Sequence, residues 1–369
     1  MTIGKVNVTN ENLSQGPTAE IERTTLFVGV SASGRNQVHA IGPKTDLVNL
    51  FGAAASGTLV KQLAAAQLNG GQDWQAYAVG IDAKENWAAA VDLAMASKNA
   101  EYIVATDPVA AKEELLAFHT KATTLLNSLA RRVFFVACTA GIDSAAQTWA
   151  QYQTAMAAIT DGVAANRVMV VPNPFGTDQG ALAGRLATKR ASIADSPMRV
   201  ITGTVLGLES KPTDSAGVAY DMAQVTALEG KRFTCVQWYE DYEGYYFTDG
   251  NLLEAEGGDY RVVEYLRVVD KAARQVRTRA IRRIADRKLN STKRSIAAHK
   301  TFFAAPLRAM SKSVAIGGVA FPAEIEPPDD DAITITWRDK TSVTIGLKIR
   351  PYNCPKNISV GIALDLTSE

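Results

Sequence analysis

From about residue 24 to residue 208, short apolar runs alternate with longer amphipathic stretches. TTLFVGV (24–30), WQAYAVGI (74–81), EYIVATD (101–107), RRVFFVAC (131–138), NRVMVVPN (166–173) and RVITGTVLGL (199–208) read as strands. They are apolar on both faces, as buried parallel strands are. The stretches between them carry helical spacing. Asp107-Pro108 predicts a cap and first-turn proline ahead of Leu115, Leu116, Phe118, Leu125, Leu126 and Leu129. Asp82 and Glu85 form a capping pattern before Trp87, and Asp143 predicts the start of a helix through Trp149, Met156 and Ile159. Strands alternating with helices predict a layered α/β domain over 23–208, with a mostly parallel sheet.

After a loop (209–215) the pattern changes. FTCVQWYEDYEGYYFTDG (233–250) predicts an aromatic hairpin. A long helix is expected over 261–288, with Val262, Leu266, Val269, Ala273, Val276, Ala280 and Ile284 on one face. A second helix runs from Ser291 into the 300s and is expected to break at Pro306. Beyond the acidic loop FPAEIEPPDDD (321–331), strict alternation predicts strands at 333–337, 343–349 and 358–366. At the other end, Ile3 to Thr9 alternates briefly, with Val6 and Val8 on one face, before the polar link Asn10 to Pro17.

Composition narrows the class. The chain has 369 residues, 47% hydrophobic and 21% charged, so it can bury a sizeable core and is no low-complexity chain. Its longest apolar run, at 133–138, falls far short of the roughly 18 residues that a membrane span needs. The N-terminus lacks an apolar segment of the signal-peptide kind, so a cytosolic protein is expected. Cys138, Cys235 and Cys354 lie far apart, which argues against a disulfide framework or a zinc site. Net charge is +1, yet fifteen Lys or Arg face three acids between Arg261 and Lys312, a local +12 that leaves the rest at −11. The helical strip Arg267, Lys271, Arg274, Arg277, Arg282 and Arg283 has few acids to pair with along its own helix, and is expected to meet an acidic surface of protein or nucleic acid.

The candidate chemistry is thin. GVSASGRN (29–36) has the Gly29-x4-Gly34 spacing of a phosphate loop, but Arg35 and Asn36 stand where Lys and Ser or Thr are required. The extended VHAIGP follows, not a helix N-terminus. His39, His119 and His299 lack metal spacing, and there is no GxSxG nucleophile elbow. Glu240, Asp241 and Glu243 alternate with tyrosines and read as a solvated hairpin edge. Asp329, Asp330 and Asp331 lack the ligand spacing of a calcium loop. No enzyme, no cofactor, no metal site and no catalytic residue is expected.

Five segments, taken in order, resemble the sheath proteins of contractile tails. They are FVGVSASGRNQVHAIGPKTDLVNLFG (27–52), LVKQLAAAQLNGGQDWQAYAVGI (59–81), VPNPFGTDQGALAGRLA (171–187), GDYRVVEYLRVVDKAARQVR (258–277) and LKIRPYNCPKNISVGIALDLT (347–367). The resemblance implies an α/β outer domain (23–208) inserted into an α+β inner domain built from both chain ends. That inner domain comprises an N-terminal arm (1–22) and residues 209–356 with the basic helix, followed by a C-terminal arm strand (357–369). It further implies a phage-tail structural subunit, assembled in the bacterial cytoplasm, whose copies form stacked hexameric rings around a tube and contract to drive it through the host envelope. Implied partners are further copies, the tube protein, the baseplate and the tail terminator, with no membrane and no nucleic acid. The basic strip would then be the tube contact. Val6, Val8, Ile358, Val360, Ile362, Leu364 and Leu366 would pair between subunits, although the last strand could instead complete its own sheet. A nucleic-acid-binding protein using 261–312 is the alternative reading.

Overall fold

The computed structural model describes residues 20–208, 210–316 and 318–363. Its first part is built from β1 (Thr25–Val30), β2 (His39–Ile41), α1 (Leu47–Phe51), α2 (Thr58–Gly70), β3 (Ala76–Ile81), α3 (Trp87–Ser97), β4 (Tyr102–Ala105), α4 (Lys112–Leu129), β5 (Phe134–Cys138), α5 (Trp149–Thr160), β6 (Ala165–Val171) and α6 (Asp178–Ala187). There follow α7 (Met222–Glu229), β7 (Val236–Tyr239), β8 (Tyr242–Phe247), β9 (Leu252–Leu253), α8 (Val263–Ile281), α9 (Lys293–Met310), β10 (Val314–Ile316), β11 (Val319–Phe321), β12 (Ile333–Trp337) and β13 (Val343–Leu347).

The main sheet runs β2-β3-β1-β4-β5-β6-β9. β3, β1, β4, β5 and β6 are parallel, with β2 and β9 antiparallel at the edges. Strands β4 and β5 are buried at every position, which is why they show no alternation. Helix α6 is buried throughout, pressed against α2. Gly180 and Gly184 permit this approach: a Cβ on either would lie 2.2 Å from the Gln62 carbonyl oxygen or 2.5 Å from that of Ala66. Gln179 then ties the layers together, its amide donating to the carbonyls of Ala105 (2.7 Å) and Val136 (2.8 Å).

Several local expectations are corrected. Residues 199–208 form no strand; a 3-10 turn at Val200–Thr202 is followed by Gly203 (φ 106°) and Gly207 (φ 77°). The freed carbonyls of Arg199 and Gly203 accept from the Arg185 guanidinium. Asp107 caps no helix, because α4 starts at Lys112 and the Asp107 carboxylate is taken up elsewhere. The helix expected from Asp143 starts at Trp149, where Thr148 and Gln151 form a capping box. Helix α9 runs unbroken through Pro306. Proline cannot donate to the carbonyl of Phe302, and Arg279 Nη1 does so instead (3.3 Å).

Two apolar cores result. The first surrounds the main sheet and draws on residues well past 208, among them Tyr220, Phe233, Phe247, Val263 and Leu266. The second gathers Val268, Ala272 and Val276 with Phe303, Leu307, Met310, Ile333 and Ile335. Helix α8 belongs to both and joins them. The antiparallel pairs β12–β13 and β10–β11 stand as two-stranded sheets.

Candidate assembly surface

In an open sheet of this winding, ligands bind where strand order reverses, here between the carboxyl ends of β1 and β4. The chain fills that crevice with its own groups. The Asp107 carboxylate accepts from the Val30 amide (3.1 Å) and the Thr58 hydroxyl (2.7 Å), and burial raises its pKa. A Cβ on Gly29 would stand 1.7 Å from Thr106 Oγ1. The GVSASGRN loop folds on itself, with Arg35 Nε donating to the Ser31 carbonyl (2.7 Å). His39 and His299 lie against backbone carbonyls of Gly34 and Ser295. Among the described residues no group of three or more His, Cys, Asp or Glu is placed to hold a metal, and no helix is long and apolar enough to cross a membrane.

The basic strip of α8 divides. Arg267, expected at a partner surface, is 3% exposed and bidentate to Glu101, with Nε–Oε1 2.7 Å and Nη2–Oε2 2.8 Å. Burial alone would lower the Arg267 pKa, but the Glu101 carboxylate raises it. Lys271 pairs with Glu324 (2.7 Å), Arg274 with Glu22, and Arg283 with Asp286 (2.7 Å) while covering the Phe302 ring. Four of the six strip residues are therefore paired, three of them with acids from distant parts of the chain. Arg277 and Arg282 are exposed, and so are Arg287, Lys288, Lys293 and Arg294 around the α8–α9 corner. Among the described residues none of these six forms an ion pair.

Beside that corner lies a groove of about 690 Å³ between the end of α8 and β13. Ile281, Ile284, Trp337, Val343 and Ile345 give it an apolar floor, and Arg277, Arg287 and Lys340 a basic rim. Ile284 is 74% exposed, although the helical pattern placed it on the buried face.

The described part of the C-terminal arm makes no strand. Ile358, Val360 and Ile362 are 72%, 78% and 95% exposed. Val6, Val8, Leu364 and Leu366 lie outside the described residues. Just before the arm, Lys356 is clamped on the body by Asp249 (2.5 Å) and by the buried Glu264 (2.8 Å). Nothing in the sequence marks Lys356, since only the fold brings its two acids together.

The α/β layer with its closed crevice, joined by a charged helix to a small two-stranded unit, shares its overall fold with solved tail proteins. The structure matches a chain of the anti-feeding prophage baseplate at TM-score 0.62 and 15% identity, covering 99% of this chain and all of that one. It matches sheath tail proteins of Listeria innocua (TM-score 0.59, 8% identity, 90% and 93% covered) and Desulfitobacterium hafniense (0.56, 10%, 93% and 96%). The sequence matches the DUF2586 N-terminal domain over residues 3–251 and the DUF2586 C-terminal domain over 259–367. It is 43% identical to the "Putative tail sheath protein" of Haemophilus phage HP1 (strain HP1c1), across 98% of each chain. The chain belongs to the DUF2586 family of tail sheath proteins.

Proposed function

We propose that this chain is the structural subunit of a contractile phage tail sheath, polymerising around a tail tube and driving it through the host envelope by contraction. In this reading it is not an enzyme, and it acts in the virion with further copies of itself in stacked rings, the tube, the baseplate and the terminator. The observation that carries the proposal is the pairing of an exposed apolar arm with an open apolar groove on the same chain. Three consecutive alternate positions of the arm, Ile358, Val360 and Ile362, face solvent, which an isolated soluble subunit gains nothing from. The groove floor continues the apolar side of β13, whose outer edge is free among the described residues. A strand added beside β13 would cover Ile281 and Ile284 and satisfy that edge. The arm of a neighbouring copy fits this role, and residues 1–22 form the second arm of an inner unit that carries the α/β body outside it. Of the six strip residues, Arg282 is the one retained as a tube contact, together with Lys293 and Arg294.

Deleting residues 357–369 tests this. The truncated chain should remain a cooperatively folded monomer with an almost unchanged melting temperature, yet form no rings or tubes by electron microscopy. A truncation that unfolds the monomer would instead place the strand in its own sheet, and the arm mechanism would be given up. The internal neutralisation of Arg267, Lys271, Arg274 and Arg283 also weakens the field on which nucleic-acid binding by 261–312 was based.

A further inference from the structure

A second exposed feature lies at the root of the arm. The tip of the β7–β8 hairpin presents Tyr239 (40% exposed) and Tyr242 (56%) together with the exposed acids Glu240, Asp241 and Glu243. Among the described residues these acids have no ion pair, and they flank tyrosines whose rings form a row with Tyr246. Tyr239 lines the same cleft of about 590 Å³ as Ile201, Lys356, Asn357 and Ile358. Ile201 is 80% exposed there. An apolar and acidic corner thus surrounds the point where the arm leaves the body.

We propose that this hairpin tip docks on the basic rim of the groove, formed by Arg277, Arg287 and Lys340, in the neighbouring copy that receives the arm. The inference rests on arm exchange and adds a body-to-body contact to it. Chain geometry forces the proximity. Lys356 is fixed to its own body by Asp249 and Glu264, and the apolar run begins at Ile358. Two residues span at most about 7 Å. If Ile358, Val360 and Ile362 lie in the neighbour's groove, the donor's Lys356 stands at the mouth of that groove, and Tyr239 and its acids stand with it. Opposite charges then meet: Glu240, Asp241 and Glu243 on the donor, Arg277, Arg287 and Lys340 on the acceptor.

Such rim charges are individually weak, but the tethered arm raises their effective concentration to about the millimolar range, and the lattice repeats them. Since donor and acceptor surfaces are different patches of one chain, the contact is head-to-tail and propagates, as a helical sheath requires. The arm supplies the shared strand, while the hairpin sets the angle between bodies.

Charge reversal in the full-length chain tests the pairing. Glu240→Lys with Glu243→Lys, and separately Arg287→Glu with Lys340→Glu, should each raise the critical concentration for polymerisation by about tenfold, read by sedimentation. Melting of the monomers should not change. A chain carrying all four substitutions restores the complementarity and should polymerise within about threefold of wild type. Reversed chains that polymerise as well as wild type would overturn the hairpin contact while leaving arm exchange intact. Two defective variants without rescue in the fourfold chain would also overturn it, since the patches would then meet other surfaces. A wild-type chain that never polymerises would instead remove the sheath reading itself.

Discussion

Asp178 is sealed at the first turn of α6, fully buried, with Oδ2 accepting from the Phe175 amide (3.0 Å) and Oδ1 without a partner among the described residues. Burial pushes its pKa up to about 7, against the opposing pull of backbone amides and Lys61. Its unfolded value is about 3.9. Because the folded value is the higher one, its contribution to stability is complete below pH of about 4 and is lost as pH rises toward 7. The loss is on the order of 4 kcal/mol at most. Asp178→Asn keeps an acceptor for Phe175 and removes the titration. The stability of wild type relative to Asp178→Asn, from urea unfolding, should therefore fall steadily between pH 4 and 8. Parallel curves for the two proteins would show that Asp178 does not titrate in that window.

At the scale of elements, the sequence made the strand–helix alternation of the first part legible because buried parallel strands and amphipathic helices leave local marks. The caps expected at Asp82, Asp107 and Asp143 do not start the helices they precede. The GALAG stretch of α6 lies within one of the segments that carry the family resemblance, though only the structure shows why both glycines stand there. What stayed hidden depends on distant residues. The segment 199–208 carries strand-like composition, yet its glycines adopt left-handed φ and its carbonyls turn to Arg185. The α8 strip looked unpaired because Glu101, Glu22 and Glu324 are far away in sequence. The exposed cations at the α8–α9 corner are what remains of that signal. Arg282→Glu with Lys293→Glu alters only exposed side chains, so the folded subunit should keep its stability within about 0.5 kcal/mol. Assembly of the variant on purified tubes should nevertheless fail or slow, because a lattice multiplies a weak contact over many subunits. Normal sheathing of tubes by this variant would move the tube contact to another face.

For the whole molecule, the question is how two apolar cores behave as one body. The joint is α8, and buried ion pairs cross it alongside its apolar side chains. Besides Arg267 with Glu101, Asp270 is 3% exposed and accepts from Arg167 Nη1 (2.8 Å) and Nη2 (3.0 Å), and from Arg132 (3.0 Å). Arg167 comes from β6 of the first core, and Asp270 lies on α8 between Val268 and Ala272 of the second. Burying such a pair adds little net stability, but removing one partner strands a charge at a cost of about 3–5 kcal/mol. Asp270→Ala should impose that cost at the seam and leave both apolar cores intact. The second core is the smaller, held by a few side chains of α8, α9 and β12, so it should then melt first. In calorimetry the wild type should unfold in one transition, with calorimetric and van't Hoff enthalpies equal. Asp270→Ala should give two transitions, or a calorimetric enthalpy well above the van't Hoff value. Adding Arg167→Leu removes the stranded guanidinium and should recover part of the lost stability. A single transition in Asp270→Ala, merely shifted to lower temperature, would mean that the cores are coupled through apolar packing along α8 and that the ion pairs do not hold the seam.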